Sequence, residues 1–336
     1  MRMLRKKRKK MNRDVRDDFQ GDRLFLKKMN ELGLEVIDFG FFRENVIWIK
    51  TKQGKYVLKG FNRSETCNKQ LKLSKLYHGQ KPRIMGTYTV FPNQKKTVQF
   101  GKYIWAIMPF YKGEGLHFGK KDDVKAGIDA ISRFHSFSKH IPDPLYEQLT
   151  SYSLFKKWSD RLDAFKFHAR SANWNHQMRP LISEIIMWGE WSLNHFDHEA
   201  VEKLEKKAYK KKEITHGDVA PHNFVKHKEK DTYLIDFDLF AAVPQAFDWL
   251  QYANRILPFW HWSYEKMEEV GNEDFLKWFT KRWFVISLVF PTDLYREWNR
   301  ALKTGDKEMI DAVTRFTLRD FSHRKKFVEK IMKRMS

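Results

Sequence analysis

The stretch that most narrows what this chain can become is Ile214–Trp249, ITHGDVAPHNFVKHKEKDTYLIDFDLFAAVPQAFDW. His216-Gly217-Asp218 is followed by Asn223, five residues after the aspartate. A charged segment, Lys226–Asp231, suits a hairpin tip. Then the apolar strand Tyr233-Leu234-Ile235 runs into Asp236-Phe237-Asp238, and Asp248 follows Asp236 by twelve residues. Two short buried strands would leave Asp218, Asn223 and Asp236 at their ends.

Phosphoryl transfer to a hydroxyl needs that inventory. One carboxylate orients the hydroxyl and accepts its proton, while an amide oxygen and a second carboxylate hold magnesium. Magnesium takes few protein oxygens and keeps several waters, so one Asn and one or two Asp suffice. The spacing of Asp218 and Asn223 is that of a kinase catalytic loop, and Asp236-Phe237-Asp238 stands where such kinases carry Asp-Phe-Gly. Turn chemistry alone also favours Asp and Asn, but it does not require this order.

On those residues the chain resembles the aminoglycoside phosphotransferase and choline kinase superfamily, small-molecule kinases with a protein-kinase-like fold. The resemblance implies Asp218 as catalytic base, Asn223 and Asp236 as magnesium ligands, Asp248 as buried support of the loop, and His216 as a structural residue orienting it. It also implies an α+β, bilobal fold. A small N-terminal antiparallel-sheet lobe would bind nucleotide at 19–110, and a larger, mainly helical C-terminal lobe would carry catalysis and acceptor binding at 111–336. ATP and Mg2+ follow as the expected cofactors. Within the superfamily the chain looks most like bacterial spore-coat proteins of the CotS type, which share the HGD core and sparse glycine loops. That likeness covers residues 20–325, from the order of motifs and the aromatic-rich helical tail.

Composition bounds the rest. At 336 residues, with 42% hydrophobic and 15% aromatic content, the chain can bury a large core and is not a disordered one. Its single cysteine, Cys67, excludes an intramolecular disulfide framework and suits a reducing, cytoplasmic interior. Of a net charge of +22, Met1–Arg13 supplies eight basic residues and no acidic one. No apolar run follows to make a secretory signal. The expectation is a disordered basic arm over 1–18, in nonspecific contact with polyanions. The longest apolar run, Trp283–Phe290, is too short for a transmembrane segment.

Along the first lobe, Phe19–Gly33 reads as a helix with Phe19, Leu24, Phe25, Met29 and Leu32 on one face. Val36–Phe39, Asn45–Thr51 and Lys55–Phe61 read as strands. Lys59, immediately after an apolar triplet, has the setting of the kinase lysine that pairs with nucleotide phosphates. A phosphate-cradling loop needs several glycines, and the turn Phe39–Asn45 offers only Gly40. In the following helix, Ser64–His78, Glu65 is the sole acidic residue. It could pair with Lys59, or the helix dipole alone could explain it. Thr87–Pro92 and Thr97–Pro109 read as further strands. The end of the second, Ile107–Glu114, is where the resemblance puts the lobe junction, with Met108 and Phe110 facing the purine.

The remainder reads as helical: Asp122–His140, Phe155–Phe167, Met178–Tyr209 with a break near Asn194–Phe196, Ala246–Ile256, Asp274–Phe290, Thr292–Lys303 and Lys307–Arg334. His135 reads as a satisfied core histidine, and His216 with His222 fits no zinc spacing. Some of Trp260, Trp262 and Trp278 could line an acceptor pocket. The leading expectation is an ATP-dependent kinase acting on a small hydroxylated substrate. The net positive charge disfavours a polycationic aminoglycoside as that substrate. The alternative is a kinase-like spore-coat component among other coat proteins, and a third, nucleic-acid binding, rests on charge alone.

Overall fold

A computed structural model describes residues 19–227 and 231–335. The expected basic arm and residues 228–230 of the expected hairpin tip lie outside the described residues. The chain divides into two compact units. One holds the described residues up to Gly79 together with Gly86–Lys112; the other holds Gln80–Met85 and everything from Gly113 onward.

The first unit is an antiparallel sheet of five strands, β1 (Val36–Arg43), β2 (Val46–Thr51), β3 (Lys55–Phe61), β4 (Thr97–Phe100) and β5 (Tyr103–Pro109), in the order β1-β2-β3-β5-β4. In β2 alternate residues point inward, so Ile47 and Ile49 are buried with Leu58, Trp105 and Ile107. The Phe19–Glu31 helix lays Phe25, Met29 and Leu32 on that core, while Leu24 is left exposed. Gly33 ends the helix in the left-handed region, with φ +81°.

Two expectations change here. Strand β1 continues to Arg43, so the turn into β2 shrinks to Glu44 and Asn45. Thr87–Pro92 is not a strand and makes a single bridge, Thr89 to Ile107. Side chains have captured two of its other amides: Thr87 N–H donates to Tyr111 Oη at 2.7 Å, and Tyr88 N–H to Ser74 Oγ at 2.7 Å.

The second unit is helical apart from a two-stranded ribbon, β6 (Phe224–Val225) with β7 (Tyr233–Leu234). Gln80–Met85 belongs to it because Leu234 N–H donates to the Ile84 carbonyl at 3.2 Å. The break expected near Asn194–Phe196 is present, and Asp197 caps the next helix by accepting from Ala200 N–H at 3.0 Å. The helix expected over Asp274–Phe290 is instead three pieces: Glu273–Leu276, a 3-10 turn Lys277–Thr280, and Arg282–Val289 after an extended Lys281. Lys307–Arg334 likewise divides at Asp320 into Lys307–Arg319 and Phe321–Met335. Among the described residues no helix is long and apolar enough to cross a membrane.

Candidate active site

The part of the Thr215–Phe237 loop that precedes the β6–β7 ribbon, residues 215–223, is held largely by side chains. Asp248, in the first turn of the Ala246–Ile256 helix and 1% exposed, accepts from His216 N–H at 2.7 Å and Gly217 N–H at 2.9 Å. His135 Nε2 meets the same carboxylate at 2.9 Å, so this histidine is a satisfied core residue. His216 accepts from Asp218 N–H at Nδ1, 3.2 Å, which leaves Nε2–H to donate to the Ile235 carbonyl at 3.0 Å. Burial drives its imidazole below the ordinary value, against the pull of Asp248. The ring packs on Phe237 with centroids 4.4 Å apart. Gly217 has φ +80°, and a Cβ there would stand 2.1 Å from the Leu239 carbonyl oxygen, so only glycine fits.

That frame fixes both oxygens of Asp218. Asn223 Nδ2 donates to Oδ2 at 3.0 Å and to the Asp218 carbonyl at 2.8 Å, and Arg255 Nη2 meets Oδ1 at 2.5 Å. The amide of Asn223 is thereby oriented, its oxygen at the end away from Asp218. Ile235 N–H donates to the Asn223 carbonyl at 2.8 Å, which brings the following residue, Asp236, to the same place. Asp236 is partly exposed and left-handed, φ +66°, a conformation that Asp and Asn tolerate better than most residues.

In the sheet unit, Lys59 lies in the middle of β3, between Val46 and Ala106, and is 5% exposed. Its Nζ is 5.6 Å from the Phe61 ring centroid. Glu65 stands exposed in the first turn of the Ser64–Tyr77 helix. Met108 pairs with Val57 in the sheet and is half-buried. Phe110 N–H donates to the Lys55 carbonyl at 2.9 Å, so this donor is taken within the sheet unit. At the β1–β2 hairpin, a Cβ on Gly40 would lie 2.6 Å from the Trp48 indole nitrogen. Asn45 is tied to β3, its Nδ2 donating to the Gly60 carbonyl at 3.0 Å.

A sequence model of the phosphotransferase enzyme family, APH, matches residues 36–263. The chain belongs to that family. Among solved structures it is similar to an aminoglycoside phosphotransferase from Alicyclobacillus acidocaldarius, with 16% identity, TM-score 0.63, and 90% of this chain and 93% of that one covered. It is also similar to a spectinomycin phosphotransferase in complex with ADP and spectinomycin (14%, TM-score 0.55, 89% and 94% covered). A third is a phosphotransferase in complex with GDP and kanamycin (13%, TM-score 0.57, 86% and 94% covered). At such identities these likenesses speak for the fold, a small antiparallel-sheet unit and a larger helical unit of the kinase-like kind. No curated protein matches the chain.

Two residues of the Ala246–Ile256 helix that hold the Thr215–Phe237 loop are not marked by any motif in the sequence. Gln251 accepts from Val219 N–H at 2.7 Å and donates to the Gly217 carbonyl at 2.9 Å, and Arg255 grips Asp218. Both follow Asp248 at helical spacing, three and then four residues on, and so share its face. Among the described residues no group of three or more His, Cys, Asp and Glu could hold a metal. A hard ion needs less: the oriented Asn223 oxygen and the Asp236 carboxylate are an oxygen-only pair that suits magnesium with water completing its shell.

Proposed function

We propose that this chain is an ATP-dependent phosphotransferase that moves the γ-phosphoryl group to a hydroxyl of a small molecule. The observation that carries the reading is the grip on Asp218, whose two oxygens are oriented by Asn223 and Arg255. Each carboxylate oxygen has lone pairs beyond the one so engaged, so Asp218 can still accept the acceptor's hydroxyl proton. The acceptor oxygen then bonds to the γ-phosphorus as the bond to the β–γ bridging oxygen breaks, and ADP leaves with that electron pair. Asn223 and Asp236 would hold magnesium, which supplies charge neutralisation at the phosphates. Lys59 would bind nucleotide phosphate, with Met108 and Phe110 against the purine. The nucleotides bound in two of the similar structures, ADP and GDP, support a nucleoside triphosphate donor of either base.

One observation favours a second reading, a CotS-like coat component with the same fold and weak or no catalysis. The only glycine of the β1–β2 turn region has its open face taken by Trp48 rather than left for phosphate. Thermal unfolding with and without Mg-ATP separates the two. A ligand at a hundred times its dissociation constant stabilises by about 2.7 kcal/mol. The shift should vanish in Asp236→Asn, which removes the charge and keeps a residue tolerant of positive φ. No shift at millimolar nucleotide would sink the enzyme reading.

A further inference from the structure

The helical unit contains a cavity of about 410 Å³, within the usual size of small-molecule sites. Phe259, Val313 and Phe316 give it an apolar floor, and Arg255, Arg296, Arg300 and Arg319 line its wall with Asp293 and Glu297. The tryptophans considered from sequence do not line it. Arg255 links the cavity to the candidate base: it lines the one, and its Nη2 is bonded to the other.

The wall carries more positive charge than it neutralises. Asp293 is taken by Arg324 through two bonds, at 2.8 and 3.0 Å. Glu297 serves both Arg296, at 3.0 Å, and Arg300, at 2.9 Å, while Arg319 leans on Asp320 at 2.8 Å. With direct partners included, Arg255, Arg296, Arg300, Arg319 and Arg324 face Asp218, Asp293, Glu297 and Asp320, five guanidiniums to four carboxylates. Arg161 adds a sixth guanidinium, donating to the Thr292 hydroxyl. Burial and then the charge of Arg296 hold the Arg161 guanidinium below its ordinary value. Burial, foremost, and Arg296 lower the Arg255 guanidinium, while Asp218, Asp293 and Glu297 raise it, and the net shift is downward. Its buried Nε–H has no acceptor among the described residues. An oxyanion would relieve this repulsion and match the fork of an arginine, whereas a polycation would add to it.

We propose that this cavity is the acceptor site and takes a hydroxylated oxyanion, a carboxylate or phosphate ester on a compact body, held by Arg255, Arg296 and Arg300. The assignment rests on Asp218 as the base. The anion would also draw on Arg255 and loosen its hold on Asp218, so that anion binding readies the carboxylate for the hydroxyl.

The test is thermal unfolding of the intact chain, at fixed ionic strength, with glycerol 3-phosphate, glycerate, glycerol or kanamycin. The expected result is a midpoint raised by one or both anions and by neither of the others, the two anions telling phosphate from carboxylate. Arg296→Gln with Arg300→Gln, at largely exposed positions, should weaken the apparent anion affinity at least tenfold. Phe316→Trp, which fills the floor, should do the same by exclusion. Equal stabilisation by glycerol or kanamycin, or an anion response unchanged in both variants, would overturn the proposal. The Mg-ATP shift, measured alongside, reports on the phosphotransferase reading separately: it should persist in both variants, and its loss in the unmodified chain would count against that reading alone.

Discussion

The Thr215–Phe237 loop and the β1–β2 hairpin, the two stretches to which the proposed function gives hydroxyl and phosphate, are built by different means. In the loop, polar contacts aim the side chains over a buried floor of Val219, Phe224, Leu234 and Phe237. Asp248, His216, Gln251 and Asn223 each bind backbone groups of the loop, and its glycine is forced by a carbonyl 2.1 Å from where a Cβ would lie. In the hairpin a backbone ladder is backed by packing: Phe39 and Phe41 rest on the sheet core, and its glycine is forced by an indole. Polar contacts fix side-chain direction to a few tenths of an ångström, whereas apolar contacts mainly exclude water. The same residue type, glycine, therefore serves chemistry's frame in one place and a tryptophan in the other.

Removing the Asp248 carboxylate is the harshest test of that contrast. Asp248→Ala strands the buried His216 N–H and His135 ring nitrogen at about 1–3 kcal/mol each, besides the part-buried Gly217 N–H, so a loss of roughly 2–6 kcal/mol is expected in urea unfolding. A loss under about 1 kcal/mol would mean the loop holds itself. Gly40→Ala should cost about 1–3 kcal/mol by overpacking against Trp48. In the double variant with Trp48→Leu, stability should return. Recovery of stability without recovery of Mg-ATP binding would show that the glycine also serves phosphate.

The smallest effect is a pH dependence. His216 is held below its ordinary value by burial, so its contribution is complete above the unfolded value, near 6.5, and is lost as pH falls. Between pH 7 and 5 the unmodified chain should lose stability faster than His216→Gln, by up to about 1.4 kcal/mol per pH unit. Parallel curves would show that His216 does not titrate in this window.

Much of this was legible beforehand where sequence and structure share a period. Lys55–Phe61 is bounded by a glycine turn and a polar break, and Ala246–Ile256 has one apolar face, so both were readable end to end. Arg282–Val289 is buried on nearly every side and has no polar face to mark where it begins, so it merged with its neighbours. Thr87–Pro92 has a strand's composition, but Ser74 and Tyr111 take its amides, and no local pattern reveals that. At the candidate site, Asp218, Asn223 and Asp236 were visible because their spacing is local. Arg255 was not, because its meeting with Asp218 depends on how a helix lies against a loop 37 residues away in sequence.

Asp248 joins three segments that lie far apart along the chain: its own helix, the Lys121–Ser138 helix through His135, and the HGD loop. The His216 amide is buried beneath that carboxylate while those helices remain docked. Its proton belongs with the slowest-exchanging class, released only when the helical unit opens as a whole. A loop by geometry is thus, by the clock of deuterium uptake, part of the innermost core.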